Sequence, residues 1–513
     1  MSQILITALQ NPALYPHPVT AFAVIETHIS WVILTGEYAY KIKKSVNFGF
    51  LDFTTLEARE HFCREEVRLN QRLTQDLYLD VLPITGCPEA PQLNGEGPVI
   101  EYAIRMREFP QSQLLSEIEQ RGELKEWHID ALAEQIARFH QAAPVVDDRN
   151  DLGSPESVMA PVRQNFEQIR PLLDQPEDLA QLDQLEAWAE EHFARLRPLF
   201  ERRKAEGFIR ECHGDIHLAN VTQLDRDVVL FDCIEFNEPF RMTDVLADTA
   251  FLAMDLEDRH HRALAHRFVN AYIEQTGDYT GLHVLPFYKA YRAMVRAKIN
   301  LFQYGQVSDP VRKAEILKRY RNYTNLAERY CAIPYQVLAI THGVSAVGKS
   351  TAALRLVEAL GAIRVRSDVE RKRIIKDSDP DVLYSAAAGH ATYARLHELA
   401  AEILKAGYPV ILDATYLKLE PRRAAAAVAE AAGVPFLILD CHAPETVIAQ
   451  WLAERQAERR DPSDATLPVI QAQQESREAL TSEEKAFSQP LDMTDMESLE
   501  RMVATFQHKI SAL

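Results

Sequence analysis

Val337-Leu-Ala-Ile-Thr-His-Gly-Val-Ser-Ala-Val-Gly-Lys-Ser350 decides the fold of the C-terminal third of this chain. Its first five residues are apolar or β-branched throughout and read as a strand buried on both faces. The following Gly343–Ser350 fits G-x-x-x-x-G-K-[ST] without a gap. Glycines let backbone N–H groups turn inward around phosphate oxygens, the lysine reaches the terminal phosphates, and the serine hydroxyl can take Mg²⁺. Gly343, Ser345, Gly348, Lys349, Ser350 and Thr351 are therefore the expected nucleotide cradle, opening a helix that runs to Leu360.

Downstream, strand-like runs at 363–366, 409–413 and 435–439 alternate with helical stretches, the signature of βαβ units and a parallel sheet. Two strand ends carry carboxylates, and the C-terminal edge of a parallel sheet is where ligands bind. Asp368, in Arg366-Ser-Asp-Val-Glu-Arg-Lys372, is placed to accept the proton of a substrate hydroxyl, with Arg371 one turn on to hold what binds there. Asp413, closing Val410-Ile-Leu-Asp413, suits a magnesium shell. Arg455 and Arg459 share a helix face at i, i+4 and suit a lid over a transferring phosphoryl group. The bland alternatives are a helix cap for Asp368 and a solvated face for the arginines.

Upstream, the pattern changes at the Pro-containing connector Cys331–Tyr335, which places a domain boundary near residue 334. Residues 1–334 begin with short strands (Trp31–Leu34, Tyr38–Lys43), then a helix over Thr55–Leu73, strands around Val99–Met106, and mostly helix thereafter. Within the helical part, His213-Gly-Asp215-Ile-His217-Leu-Ala-Asn220 sets a carboxylate and an amide five residues apart on one tight loop. Such a pair can serve an acceptor hydroxyl and a metal. Twelve residues after Asn220, the apolar run Val228–Phe231 delivers Asp232, the position of a second magnesium ligand. Lys41 on a strand and Glu66 on a helix suit the ion pair that orients nucleotide phosphates, although Lys43 shares the strand face with Lys41. His217 reads as loop packing, since no Cys or His stands at metal spacing from it.

Charge and composition restrict the partners. Fifty-six basic against 75 acidic residues give a net charge of −19, and −14 of it falls before Gln336. A polyanion binder advertises a basic surface, so nucleic acid is disfavoured. Six cysteines, scattered without a C-x-x-C pair, are expected as reduced thiols. No apolar run approaches the ~20 residues a membrane span needs. The opening residues lack the basic segment of a secretory signal, so a cytoplasmic location is expected.

On these motifs the first part resembles the aminoglycoside phosphotransferase and choline kinase group, which shares the protein-kinase fold. The second resembles P-loop kinases of the zeta-toxin, polynucleotide-kinase and gluconokinase kind. The whole chain, including Tyr38–Leu79, is similar to bacterial fusions described as bifunctional aminoglycoside phosphotransferase/ATP-binding proteins. The resemblance implies an α+β protein-kinase-like two-lobed domain over 1–334, then an α/β P-loop NTPase domain with a parallel sheet over 335–513. It implies Asp215 and Asp368 as bases, Asn220 and Asp232 as magnesium ligands, Lys41 with Glu66 on phosphates, Met106 near the adenine hinge, and Asp248 as a brace of the catalytic loop. ATP and Mg²⁺ are the implied cofactors and small hydroxylated molecules the acceptors. Oligomeric state stays open. One departure from the group is the absence of G-x-G-x-x-G, leaving only Gly36 near the first strands. The alternatives are a 5′-hydroxyl nucleic-acid kinase or toxin-like nucleotide-sugar kinase in the second part, or an ATP-gated regulatory module in either.

Overall fold

The computed structural model describes residues 3–511 except 50, 148, 306, 333–334, 377–378 and 459–465, without the side chains of 380, 455–458, 496 and 507–511. The chain packs as two compact units. One is Met1–Asp255 with Met294–Ile316, the other Leu256–Ala293 with Leu317–Leu513.

The first unit opens with an antiparallel sheet of β1 (Ala23–Glu26), β2 (Ser30–Leu34), β3 (Tyr38–Lys43), β4 (Tyr78–Cys87), β5 (Ala90–Leu93) and β6 (Val99–Arg107), in the order β1-β2-β3-β6-β4-β5. Gly36, at φ +94°, belongs to the β2–β3 turn beside the end of β6, where its N–H donates to Glu108 at 2.7 Å. The β1–β2 turn is Thr27-His28-Ile29. The helix Leu56–Asn70 starts at Thr55, whose hydroxyl accepts the Ala58 N–H at 3.1 Å. Its apolar stripe, Cys63 and Val67, packs on Ala39, Tyr78, Ile104 and Met106. The buried pair Arg59–Glu101, at 2.9 Å, fixes the helix to β6.

Helices Glu126–Ala142, Pro155–Ile169, Pro176–Ala205 and Val245–Asp258 make up most of the rest. Short strands punctuate them: β7 (Ile209–Glu211) pairs with β10 (Met242–Asp244), and β8 (Val221–Leu224) forms a hairpin with β9 (Asp227–Leu230). These ladders clamp both ends of the loops at 212–220 and 231–237.

The second unit is built on a parallel sheet of β11 (Leu338–His342), β12 (Ile363–Arg366), β13 (Val410–Asp413), β14 (Phe436–His442) and β15 (Ser488–Asp492), ordered β12-β13-β11-β14-β15. β11 is buried along its whole length between β13 and β14, as its apolar run requires. The chain leaves β11 for β12 on one side and later crosses from β13 to β14 on the other, which puts the loop after β11 at a topological switch point. β15 carries no strand signal in the sequence because Pro490 cannot donate to a ladder; it sits at an edge, where proline is tolerated. The helix Arg262–Thr276, packed along β12 and the helix Lys349–Leu360, and the short helix Tyr279–His283, packed on the helix Ala386–Lys405, belong to this unit. All six cysteines are free thiols, with Cys63, Cys212, Cys233 and Cys441 buried. No helix among the described residues is long and apolar enough to cross a membrane.

Candidate phosphotransfer sites

In the first unit one chain of charges joins residues from three segments. Asp232 Oδ1 accepts from Lys41 Nζ at 2.6 Å, Lys41 Nζ reaches Glu66 Oε1 at 2.7 Å, and Glu66 Oε2 accepts from Lys43 Nζ at 2.6 Å. Lys43 then pairs with Glu235. The two lysines occupy the same strand face at different depths. The Lys41 side chain is 12% exposed and touches the half-exposed Asp232, whereas the Lys43 side chain is 1% exposed among carboxylates. Burial would lower the Lys41 ammonium, but Asp232 and Glu66 hold it well above its ordinary value. Burial likewise pushes Glu235 up. Against the same burial, Lys41 and Lys43 pull Glu66 down, so Glu66 stays ionised between two cations.

Asp232 stands at φ +65°, a left-handed conformation that aspartate tolerates better than most side chains. The next residue is pinned: the Cys233 N–H donates to Asn70 Oδ1 at 3.1 Å, while Asn70 Nδ2 donates to the Glu66 carbonyl at 2.8 Å. Asn70 thus ties the Glu66 helix to the Asp232 loop. A second tie comes from Arg68 and Arg72, which reach the carboxylate of Glu211 on β7 at 2.7 and 3.0 Å.

The loop at 212–220 is braced from below. Asp248, fully buried, accepts the N–H groups of His213 and Gly214, both at 2.8 Å, and Asp255 accepts that of Leu218 at 3.0 Å. Gly214 sits at φ +91°, and a Cβ there would lie 3.1 Å from the Phe240 carbonyl oxygen. His213 Nδ1 accepts from the Asp215 N–H, so its Nε2–H donates to the Phe231 carbonyl at 2.9 Å. His217 does more than pack. Its Nδ1 accepts from the Ala219 N–H, which leaves the proton on Nε2, 3.3 Å from Asp215 Oδ2. Asn220 Nδ2 lies 3.3 Å from the same oxygen. Burial raises the Asp215 carboxyl, but His217 above all, with Arg296 and His213, brings it below the usual carboxylate range. The side chains of Val32, Leu34, Ala39, Met106, Phe109, Val229 and Phe231 belong to one apolar cluster.

In the second unit the loop between β11 and its helix has the backbone its sequence requires. Gly343 lies at φ +138°, where a Cβ would meet the Cys441 carbonyl oxygen at 2.6 Å, and Gly348 at φ +91° packs on Met493. Lys349 Nζ donates to the Val344 carbonyl at 2.6 Å, across the loop. Ser350 Oγ donates to Asp413 Oδ2 at 2.7 Å, so the two residues read as a magnesium pair stand together. Ser345 is held by Gln473, which accepts its N–H at 2.8 Å and donates to its hydroxyl at 3.1 Å. Thr351 is exposed on the first helical turn.

Asp368 is not the cap of its helix. Arg366 occupies that position, and Asp368 lies inside the first turn with its carboxylate 3.2 Å from Arg371 Nη1. Arg371 in turn stacks 5.0 Å from the Tyr384 ring. The Arg455 side chain and Arg459 fall outside the described residues, so the lid has no structural account.

Both donor sets consist of oxygen: an Asp carboxylate with an Asn amide in one unit, a Ser hydroxyl with an Asp carboxylate in the other. That chemistry fits a hard cation such as Mg²⁺, and the glycine cradle of the second unit fits a phosphate. Asn70, Glu235, Asp255, His217 and Gln473 were not singled out from sequence as site residues. Asn70 had a signal, one helical turn after Glu66; the others act through loop geometry that spacing does not reveal.

Comparison with known proteins finds two kinase-type stretches, the first of which runs into the second compact unit. Residues 59–285 match the Phosphotransferase enzyme family and residues 338–480 an AAA domain family. Over 475 residues the chain is 30% identical to uncharacterized protein Rv2004c of Mycobacterium tuberculosis, covering 89% of this chain and 91% of that one. Uncharacterized protein Mb2027c of Mycobacterium bovis matches to the same extent. Among solved structures, a choline/ethanolamine kinase family protein from Mesorhizobium loti is 14% identical, with a TM-score of 0.42 over 64% of this chain and 97% of that one. A sugar kinase from Janibacter is 21% identical, with a TM-score of 0.27 over 34% of this chain and 96% of that one. The chain belongs to the family it shares with the mycobacterial proteins, in which a phosphotransferase domain precedes a P-loop kinase domain. It is a phosphotransferase-type enzyme with two kinase-type domains.

Proposed function

We propose that each kinase domain transfers the γ-phosphoryl group of ATP to a hydroxyl of a small molecule, a sugar, amino sugar or aminoglycoside-like compound. The observation that carries this reading is the Asp232–Lys41–Glu66 contact, which brings together residues 191 positions apart in sequence. A partly exposed lysine held between a buried and a half-exposed carboxylate, in the same unit as Asp215 and Asn220, suits a bound polyphosphate and its cation. Magnesium supplies charge neutralisation of the phosphates when bound. Asp232 with Asn220 would hold it in the first domain, Ser350 with Asp413 in the second.

The chain's own residues do the rest. Asp215, oriented by His217 Nε2–H and the Asn220 amide, accepts the proton of the acceptor hydroxyl. Its lowered basicity makes it a weak base whose main contribution is orientation of the nucleophile. Lys41 sets the nucleotide phosphates, and the cluster containing Met106 takes the base. In the second domain Lys349 and the loop N–H groups bind phosphates, Asp368 serves the acceptor, and Arg371 holds it from one turn away; Arg455 and Arg459 close the lid.

The test is ATP consumption by the full chain against sugars, amino sugars, aminoglycosides and 5′-hydroxyl oligonucleotides, with Asp215→Asn and Lys349→Ala as single-site variants. An acceptor used by the wild type and lost on Asp215→Asn belongs to the first domain, and one lost on Lys349→Ala to the second. Phosphorylation of the oligonucleotides alone would overturn the small-molecule reading.

A further inference from the structure

Two arginine side chains near the Ser350–Asp413 pair converge on a residue from far upstream. Glu274, on the helix Arg262–Thr276, accepts from Arg364 Nη2 at 3.0 Å through Oε2, and its Oε1 lies 3.7 Å from Arg366 Nη1. Arg364 Nη1 donates to the Ser350 carbonyl at 3.3 Å. Arg366 Nε stands 3.9 Å from Asp413 Oδ2, the same oxygen that accepts from the Ser350 hydroxyl. The helix is fixed to β12: Asn270 Oδ1 accepts the Arg364 N–H at 2.7 Å, satisfying the open edge of the sheet, and Arg373 Nη2 donates to the Glu274 carbonyl at 2.6 Å. Glu274, Arg364, Arg366 and Asp413 are all nearly buried, with side chains between 4% and 14% exposed, so their charges are weakly screened.

We propose that Glu274 is a positioning residue of the phosphate-loop site, which shares Arg366 with Asp413 and so restrains it from closing fully onto the Asp413 carboxylate, keeping that carboxylate available to a divalent cation. The inference rests on the reading of Ser350 and Asp413 as the magnesium pair. Arg366 is poised between two carboxylates of opposite consequence. Shared at 3.7 Å with Glu274 and 3.9 Å with Asp413, it only partly occupies Asp413; drawn fully onto Asp413 it competes with the cation for the same oxygen. Glu274 lies within the stretch matched to the phosphotransferase family, yet it packs in the unit of the phosphate loop. The second site therefore depends on a residue supplied by the first family's sequence.

The experiment uses the full chain with Lys41→Met in the background to silence the first nucleotide site. Binding of a non-hydrolysable ATP analogue is titrated calorimetrically across a magnesium series. Glu274→Gln is expected to raise the magnesium concentration giving half-maximal nucleotide affinity about five- to tenfold, with affinity in the absence of magnesium changed less than twofold. Arg366→Gln, which removes the competitor, is expected to lower that concentration, and Glu274→Gln added to it is expected to change it less than twofold. A purely structural role predicts equal loss on both backgrounds, and that result overturns the proposal. So does an unchanged magnesium requirement in Glu274→Gln. Should Glu274→Gln fail to fold, Arg366→Gln alone decides: an unaltered or raised requirement refutes the competition. Lys349→Ala is the control for the underlying reading. If it leaves analogue binding intact, the phosphate-loop assignment fails; if it abolishes binding while the Glu274 and Arg366 variants are silent, only the positioning role fails.

Discussion

Replacing Lys41 and Lys43 by methionine, one at a time, separates fold from function along one strand. Methionine keeps the apolar stem and deletes the ammonium. At Lys43 the ammonium lies between Glu66 and Glu235 with 1% of the side chain exposed, so its loss leaves Glu235 buried without its cation. Breaking one partner of such a buried pair costs about 3–5 kcal/mol. In a unit of this size that corresponds to a fall of roughly 5–10 °C in the melting temperature. At Lys41 the partner Asp232 has a side chain 41% exposed, and Glu66 retains Lys43, so the loss is about 1 kcal/mol. Function divides the other way. Lys41→Met should weaken binding of Mg·ATP at the first site at least tenfold, whereas Lys43→Met below its melting point should stay within about fivefold. Calorimetric melting and nucleotide titration of the full chain, with Lys349→Ala silencing the second site, read both quantities. The double variant Lys43→Met/Glu235→Leu should recover most of the lost stability, because an apolar pair of similar volume replaces an ionic one. The reasoning is refuted if Lys41→Met melts as low as Lys43→Met, or if Lys43→Met loses nucleotide affinity as completely as Lys41→Met.

In the second domain Lys349→Ala should impair nucleotide binding and transfer together, whereas Asp368→Asn should keep ATP affinity and drop transfer by about 10²–10⁴-fold in single-turnover assays, the usual contribution of a positioned base. Equal loss of affinity in both would move Asp368 to the magnesium shell. His266 gives a pH dependence: burial, opposed by its bond to the Glu358 carbonyl, holds its pKa down at about 4. The unfolded chain takes up a proton below about pH 6.5 that the folded chain refuses until about 4, so stability is full above 6.5 and declines by about 1.4 kcal/mol per pH unit as pH falls through that window. Urea midpoints at pH 7.5, 6 and 5 should show the decline in wild type and a flatter profile in His266→Gln; parallel profiles would exclude His266 as the cause. A fragment beginning at residue 335 lacks the helix whose Asn270 and Glu274 cover β12, and it should melt well below the corresponding transition of the full chain; an equal melting temperature would show that the helix contributes nothing to that unit.

What the sequence disclosed and what it hid follow from how local each signal is. The strand, loop and helix over Val337–Leu360 are legible because the apolar run, the two glycines and the helical period are each contiguous, and each is found where expected. Asp215, Asn220 and Asp232 are legible for the same reason, and the brace supplied by Asp248 followed from the resemblance. The strand period placed Lys41 and Lys43 on one face but could not say which reached Asp232, since depth depends on what covers the strand end. β4, β5 and β15 left weak traces: β4 and β15 each contain a proline, and β5 has only four residues. The division of the chain into compact units was the least legible feature. A helix such as Arg262–Thr276 shows an apolar face in its sequence but not which core that face joins.

On the proposed function the two domains meet one requirement, carboxylates held close to phosphates, by opposite means. In the phosphate-loop domain the backbone does most of it. Positive φ angles at Gly343, Ala346 and Gly348 set the course of the loop, with side-chain contacts added at Ser345, Lys349 and the Ser350–Asp413 pair. In the first domain the loop at 212–220 has a single glycine and takes its shape from side chains: Asp248 and Asp255 capture its N–H groups, and Asn70 captures that of Cys233. A backbone cradle tolerates substitution around it so long as its glycines remain. A side-chain-braced loop distributes its geometry over residues tens of positions away, each buried and each carrying a charge or an amide with one role. Loss of Asp248 strands two buried N–H groups, about 1–3 kcal/mol each when unsatisfied, and displaces Asp215 at the same time. On the proposed roles, stability and catalysis are therefore coupled in the first domain through Asp248, Asp255 and Asn70, whereas in the second Lys349 spans its own loop to the Val344 carbonyl.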